Sequence, residues 1–141
     1  MIQPHGGKLV DRVLEGKAGE EALARAARLP RIAVDAELVS DIENIATGVY
    51  SPLEGFLGEA DFNGVVNASR LASDVAWTIP IVLDADKPTA DGLKAGDEVV
   101  LAAGDGRPLA ILHLREKFGF DKGDAAEKVF GTALSLGNSA Y

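Results

Sequence analysis

Cysteine is absent from this chain, and histidine, tryptophan and methionine are scarce: two His, one Trp and one Met among 141 residues. Without a thiol there is no disulfide framework, no thiolate nucleophile and no cysteine-based metal site. That fits a reducing compartment without requiring one. Long apolar runs are missing too. The longest, such as residues 99–103, fall far short of the roughly 20 residues that cross a bilayer as a helix. The first residues lack the apolar core of a secretory signal. The expectation is therefore a cytoplasmic chain with no membrane partner. Basic charge is the other shortfall, with 14 Lys and Arg against 22 Asp and Glu and a net charge of −8. The deficit is uneven. Residues 1–32 carry six basic and four acidic groups, for +2, and the remainder carries 8 and 18, for −10. So acidic a body repels phosphate backbones and anionic lipid, which argues against a nucleic-acid partner.

What is present suits one globular domain. The length is that of a single core, and 47% hydrophobic with 26% charged residues is ordinary for a folded protein. No internal repeat or low-complexity tract interrupts it. Pro4, Gly6 and Gly7 break any period before Arg12, which reads as loop or short extended chain. Ala22, Leu23, Ala26 and Leu29 recur at helical spacing and predict a helix over 19–29, stopped by Pro30. A short strand is expected at 32–34. A second helix is expected at 41–47 with Gly48 at its C-terminal cap, and a third from about Asp61 with Phe62, Val65 and Val66 on its buried stripe. Then the period changes. Strands are expected at 78–83, 97–103 and 109–114, the last two joined by the Asp-Gly turn of Gly104-Asp105-Gly106-Arg107. A final helix is expected at 124–130. Helices first and antiparallel strands later point to an α+β domain with a small barrel or curled sheet.

The residues that could carry chemistry do not assemble into a motif. Gly6-Gly7-Lys8 lacks the upstream glycine, the following Ser or Thr and the preceding strand of a phosphate loop. His5 and His113 have no companion at ligand spacing, and His113, between Leu112 and Leu114, reads as a structural strand residue. Asp41/Glu43 and Asp84/Asp86 stand where carboxylates cap helices or end strands. No Gly-x-Ser-x-Gly elbow occurs. Trp77 and the phenylalanines lack the basic interleaving of an RNA platform and read as core. No catalytic, cofactor-binding or metal-ligating residue can be nominated, and no cofactor is implied. One feature suggests contact with a protein. Tyr50, Leu53, Phe56 and Leu57 crowd one loop around Pro52 and Gly55, and four large apolar groups on eight residues are hard to bury together.

Several segments in register resemble the sulfate adenylyltransferase (ATP sulfurylase) family. They are residues 4–12 (Pro-His-Gly-Gly-Lys-Leu-Val-Asp-Arg), Asp41 with Ile45 and Gly48, Tyr50-Ser51-Pro52-Leu53, Gly55-Phe56, and Asp61-Phe62 with Val65 and Arg70-Leu71. The series continues with Trp77-Thr78-Ile79-Pro80-Ile81 and Leu83, Gly96-Asp97, Pro108-Leu109-Ala110, Asp121-Lys122 and Val129-Phe130-Gly131-Thr132. The resemblance runs over roughly residues 4–132. It implies an N-terminal PUA-like small β-barrel, a curled and mostly antiparallel sheet with flanking short helices, spanning 1–132. The enzyme concerned joins ATP and sulfate to give adenosine 5′-phosphosulfate and pyrophosphate. That family's Gln-x-Arg-Asn-Pro, paired-histidine and Gly-Arg-Asp-His segments do not occur here, so no catalytic residue carries over and the chain is expected to be inactive alone. Residues 133–141 depart from the family's His-Pro-Gly-Val junction and are expected to be a diverged tail or the start of a junction to an absent catalytic domain. The implied partner is such a catalytic domain, in cis or in trans, or a second copy of this chain. The alternative is a free-standing PUA-like binding or regulatory module acting through protein contacts. A third reading, RNA binding, rests on the PUA-like label alone and is opposed by the acidic body.

Overall fold

A computed structural model describes residues 2–119. In chain order its elements are a 3-10 turn at His5–Gly7, α1 (Gly16–Ala26), β1 (Arg31–Ala33), α2 (Ala36–Ala46), α3 (Glu59–Ala68), α4 (Lys87–Asp91), β2 (Glu98–Ala102) and β3 (Pro108–His113). The chain divides into two compact units. Among the described residues, one is drawn from residues 2–55 and Lys87–Arg115, the other from Phe56–Asp86 and residues 116–119.

The first unit is built on a three-stranded sheet in the order β1-β2-β3. Val99, Val100, Leu101 and Ala102 of the central strand β2 are all buried. That continuous apolar run is what a strand covered on both faces requires. β1 runs parallel to β2, with Arg31 opposite Val100 and Ala33 opposite Ala102. β3 runs antiparallel, with Glu98 opposite His113. The hairpin between β2 and β3 closes as the Asp-Gly signal predicts. Gly106 takes φ 89°, its N–H reaches Ala103 O at 2.9 Å, and Ala103 N–H reaches Arg107 O at 2.9 Å. The register shifts by a bulge between Leu101 and Ala102. α1 covers the sheet through Ala26, packed with Val100, Ala102 and the half-buried Leu29. Arg25 Nη2 adds a clasp 3.0 Å from Glu98 Oε2. α2 is capped by Asp35, whose carboxylate accepts the Leu38 N–H at 2.8 Å, satisfying one of the unpaired donors at a helix start. It buries Ile42 and Ile45.

The second unit centres on α3, which buries Phe62, Val65 and Val66 as its spacing predicts. The Phe62 ring lies 5.5 Å from that of Phe118, tilted by 49°. Glu116 Oε1 accepts the Glu59 N–H at 2.7 Å, placing a carboxylate at the helix N-terminus where the macrodipole favours it. At the other end Ser69 adopts φ 55° and its N–H returns to Val65 O at 3.0 Å. Gly64 has no Cβ to meet the Arg70 carbonyl, which comes close against it.

Three expectations change. The sheet of the described residues has three strands and does not close into a barrel. It is mixed rather than mostly antiparallel, because the long connection between β1 and β2 allows a parallel pairing that a tight turn forbids. The strand expected at 78–83 does not form, and the nearest pairing is an isolated bridge between Arg70 and Ala76. Pro80 offers no N–H to a ladder, and Trp77 Nε1 takes the Ile79 carbonyl at 2.8 Å. Pro80, Ile81 and Val82 are buried consecutively instead of alternately. The helix expected at 124–130 and the tail at 133–141 lie outside the described residues.

Candidate docking surface

The chain before α1 is an arm tied to the first unit by few groups. Val10 is its buried anchor. The Val10 N–H donates to Ser51 Oγ at 2.9 Å, and that hydroxyl donates to Gly48 O at 2.7 Å. Two residues on, Arg12 N–H reaches Ala46 O at 2.8 Å, so the arm closes over the last turn of α2. This approach needs Gly48, which sits at φ 86°. A Cβ there would run into Val10 O and stand 2.8 Å from Leu9 Cδ1. Ser51 is therefore a double link, and removing its hydroxyl leaves a buried N–H without an acceptor. Ser51→Ala is expected to cost about 1–3 kcal/mol, read as a shift in urea midpoint, whereas alanine at the exposed Ser40 should stay within ~0.5 kcal/mol.

Around this anchor the arm is apolar and open. Leu9 is 65% exposed, Val13 46%, Leu14 59% and, beside the end of α2, Val49 67%. Leu9, Val10, Asp11, Val13, Glu15 and Thr47 line a groove of about 390 Å³. The charged residues of its lining, Asp11 and Glu15, are both acidic. Lys8 Nζ lies 3.0 Å from Glu54 Oε1, both exposed. The Lys8 hydrogen bond and charge, with Arg12 and Arg115 further off, hold the Glu54 carboxyl below its usual range.

The loop singled out by sequence is divided between the units, Tyr50 and Leu53 in the first and Phe56 and Leu57 in the second. Leu53 and Leu57 are buried, while Tyr50 and Phe56 are half-buried. Tyr50 OH donates to Asp41 Oδ1 at 3.3 Å. Burial pushes the Asp41 carboxyl up. The Tyr50 hydroxyl opposes that shift, and Glu37 and Asp35 reinforce it. Because the folded chain holds the Asp41 proton more tightly than the unfolded one, this group favours the fold at acid pH. The contribution fades as pH rises through the folded value.

The other candidates stay apart. Gly6 and Gly7 take φ 75° and 84°, and Lys8 is engaged with Glu54. His5 sits exposed in the first turn, while His113 ends β3 with Nδ1 3.7 Å from Glu98 Oε2, where Arg25 already stands. Glu43 and Asp86 are exposed, and Asp41 and Asp84 half-buried. Among the described residues no group of three His, Cys, Asp or Glu side chains could hold a metal ion, and no helix is long and apolar enough to cross a membrane. Sequence reading missed the exposed arm. Its signal was two apolar pairs, Leu9-Val10 and Val13-Leu14, around a charged pair, which fits neither a helical nor a strand period.

Comparison with known proteins agrees along the chain. A sulfate adenylyltransferase of Symbiobacterium thermophilum is 45% identical over 131 residues, 93% of this chain and 33% of that protein. One of Cenarchaeum symbiosum is 47% identical over 131 residues, 93% and 32% respectively. Among solved structures, the hexameric APS kinase of Thiobacillus denitrificans superposes with a TM-score of 0.74 at 32% identity, over 85% of this chain and 24% of that one. The chain thus spans about a third of the length of the curated relatives it matches. The family model described as a PUA-like domain matches residues 2–135. Over nearly its whole length, this chain belongs to the PUA-like domain family.

Proposed function

We propose that this chain is the N-terminal, non-catalytic module of a sulfate adenylyltransferase, the enzyme that makes adenosine 5′-phosphosulfate and pyrophosphate from ATP and sulfate. The module works in the cytoplasm by packing against the catalytic module, in cis or from a separate chain. The observation that carries this reading is the match of 93% of the chain to one third of such enzymes. Tyr50 and Phe56, each half-buried, supply ring surface for such a contact beyond what Leu53 and Leu57 spend on their own units. The hexameric assembly of the APS kinase neighbour supports an oligomeric setting. The charge of −10 over residues 33–141 opposes nucleic acid as the partner.

Activation of sulfate needs groups that hold a triphosphate and stabilise charge on the α-phosphoryl group. The expected result is no pyrophosphate release from ATP and sulfate by the purified chain above a heat-inactivated control. Mixed with a catalytic module from the same genome, it should co-elute with that module, and Tyr50→Ala/Phe56→Ala should weaken the complex about ten-fold or more, as loss of aromatic anchors does. Turnover that follows the lone chain through purification would refute the non-catalytic assignment. Separate elution would refute the packing role.

A further inference from the structure

The groove beside the end of α2 sorts the arm's side chains by position. Leu9, Asp11, Val13 and Glu15, every second residue, line it together with Val10 and Thr47. That is the period of an extended chain, whose alternate side chains share a face. Along the arm the lining therefore reads apolar, acidic, apolar, acidic. The basic side chains fall elsewhere. Neither Lys8 nor Arg12 lines the groove. Lys8 pairs with Glu54 at 3.0 Å, and Arg12 acts on that same carboxylate.

The composition of the groove selects its occupant. Leu9 and Val13 are two of the seven large apolar side chains left exposed among the described residues. The Asp11 carboxylate is held at the groove by the Val13 N–H, which donates to Oδ1 at 3.1 Å. Glu15, the residue before α1, makes no side-chain hydrogen bond to the helix start. Covering two carboxylates with a purely apolar partner would cost their hydration without return, so the surface favours a partner that brings cations. The groove is also preformed. Val10 N–H to Ser51 Oγ and Arg12 N–H to Ala46 O fix the arm at its even positions, which leaves little to order on binding. A protein surface to meet it is at hand. The chain matches one third of the sulfate adenylyltransferases it resembles, and the other two thirds of those enzymes are polypeptide.

We propose that the groove lined by Leu9, Asp11, Val13 and Glu15 docks an extended segment of the catalytic module, one face of which alternates apolar and basic side chains. The inference rests on the accessory-module reading and names the surface and the chemistry of its contact. In an extended arm Asp11 and Glu15 stand about 13 Å apart, which matches two Lys or Arg four residues apart on an extended partner. The apolar side chain between those cations meets Val13. The carboxylates lie at an open surface, so high salt should weaken the contact by screening them.

The test is titration calorimetry of the purified chain and its variants against a catalytic module from the same genome. Asp11→Asn/Glu15→Gln keeps the shapes and removes both charges. It should weaken binding about five-fold at low salt, as loss of two surface ion pairs does. At about 1 M salt, where the Debye length is roughly 3 Å, it should bind as the wild type does. Val13→Asp puts a charge on the apolar wall and should weaken binding about ten-fold or more. Leu23→Asp, exposed on α1 and outside the lining, should leave binding unchanged. Far-UV circular dichroism establishes that each variant is folded. Amide NMR of the wild-type chain gives a route without substitution, with the resonances of residues 9–15 and Thr47 expected to shift as the module is added. A wild-type chain that does not bind the module overturns the accessory-module reading, and this inference with it. Binding indifferent to both groove variants, a charge-variant loss that is as large at high salt, or unmoved resonances at 9–15 overturns the groove alone.

Discussion

Gly48→Val is expected to destabilise the chain by about 2–5 kcal/mol. Gly48 holds φ 86°, in the left-handed region that costs a residue with a Cβ roughly 1–2 kcal/mol. The new side chain also meets Val10 O and Leu9 Cδ1. Overpacking of that kind adds about 1–3 kcal/mol, and backbone on one side leaves little to yield. The melting temperature should fall by on the order of 10 °C. Gly96→Ala separates the two causes. Gly96 has φ 97°, but a Cβ on it would meet nothing within 4 Å, so it should lose only the backbone share. Equal losses at the two positions would show that the arm's close approach over Gly48 contributes nothing.

Leu101→Ala should cost about 2–5 kcal/mol. Leu101 is 2% exposed at the centre of β2, between Val100 and Ala102, themselves buried. Its truncation removes transfer free energy and leaves a cavity that neighbouring strands cannot fill by small shifts. Leu23→Ala is the control. Leu23 lies on α1 at 58% exposure, and its loss should stay near ~0.5 kcal/mol. Urea unfolding followed by circular dichroism measures both, and an unchanged slope would confine the effect to stability. Similar midpoints for the two variants would contradict the placement of the core on β2.

Elements that announce themselves by period were legible in the chain. Phe62, Val65 and Val66 placed α3, the run at 99–102 placed β2, and Gly106 placed the hairpin turn. Boundaries were less so. α1 begins at Gly16 and ends at Ala26, because Arg28 N–H already returns to Arg25 O at 3.1 Å and Leu29 reaches the sheet from a turn. α2 starts at Ala36, five residues before the spacing suggested, and its signal was the Asp35 cap. α4 was hidden by Pro88, which a first helical turn tolerates. The segment 78–83 misled because burial and strand pairing are separate demands. Its apolar residues are buried in part, yet Pro80 and the Trp77 indole keep a ladder from forming. The contact loop was legible as apolar, but sequence could not say that Leu53 and Leu57 turn inward. The arm was invisible for the opposite reason, since exposed leucines on a non-periodic segment look like any loop until its neighbours are known.

The pairing of β1 with β2 also bears on how the protein is made. Arg31 and its partner Val100 are about 70 positions apart, and a ribosome adding roughly 5–20 residues per second needs about 4–14 s to cover that distance. For that long after β1 emerges, its partner strand has not yet followed it. The segment Phe56–Asp86 of the other unit emerges within the same wait, whereas the Glu116 carboxylate and the Phe118 ring that meet α3 follow only after β3. The first unit's sheet is therefore a late event of biosynthesis, and until β2 arrives the nascent chain must carry Ile32 and Val34 uncovered.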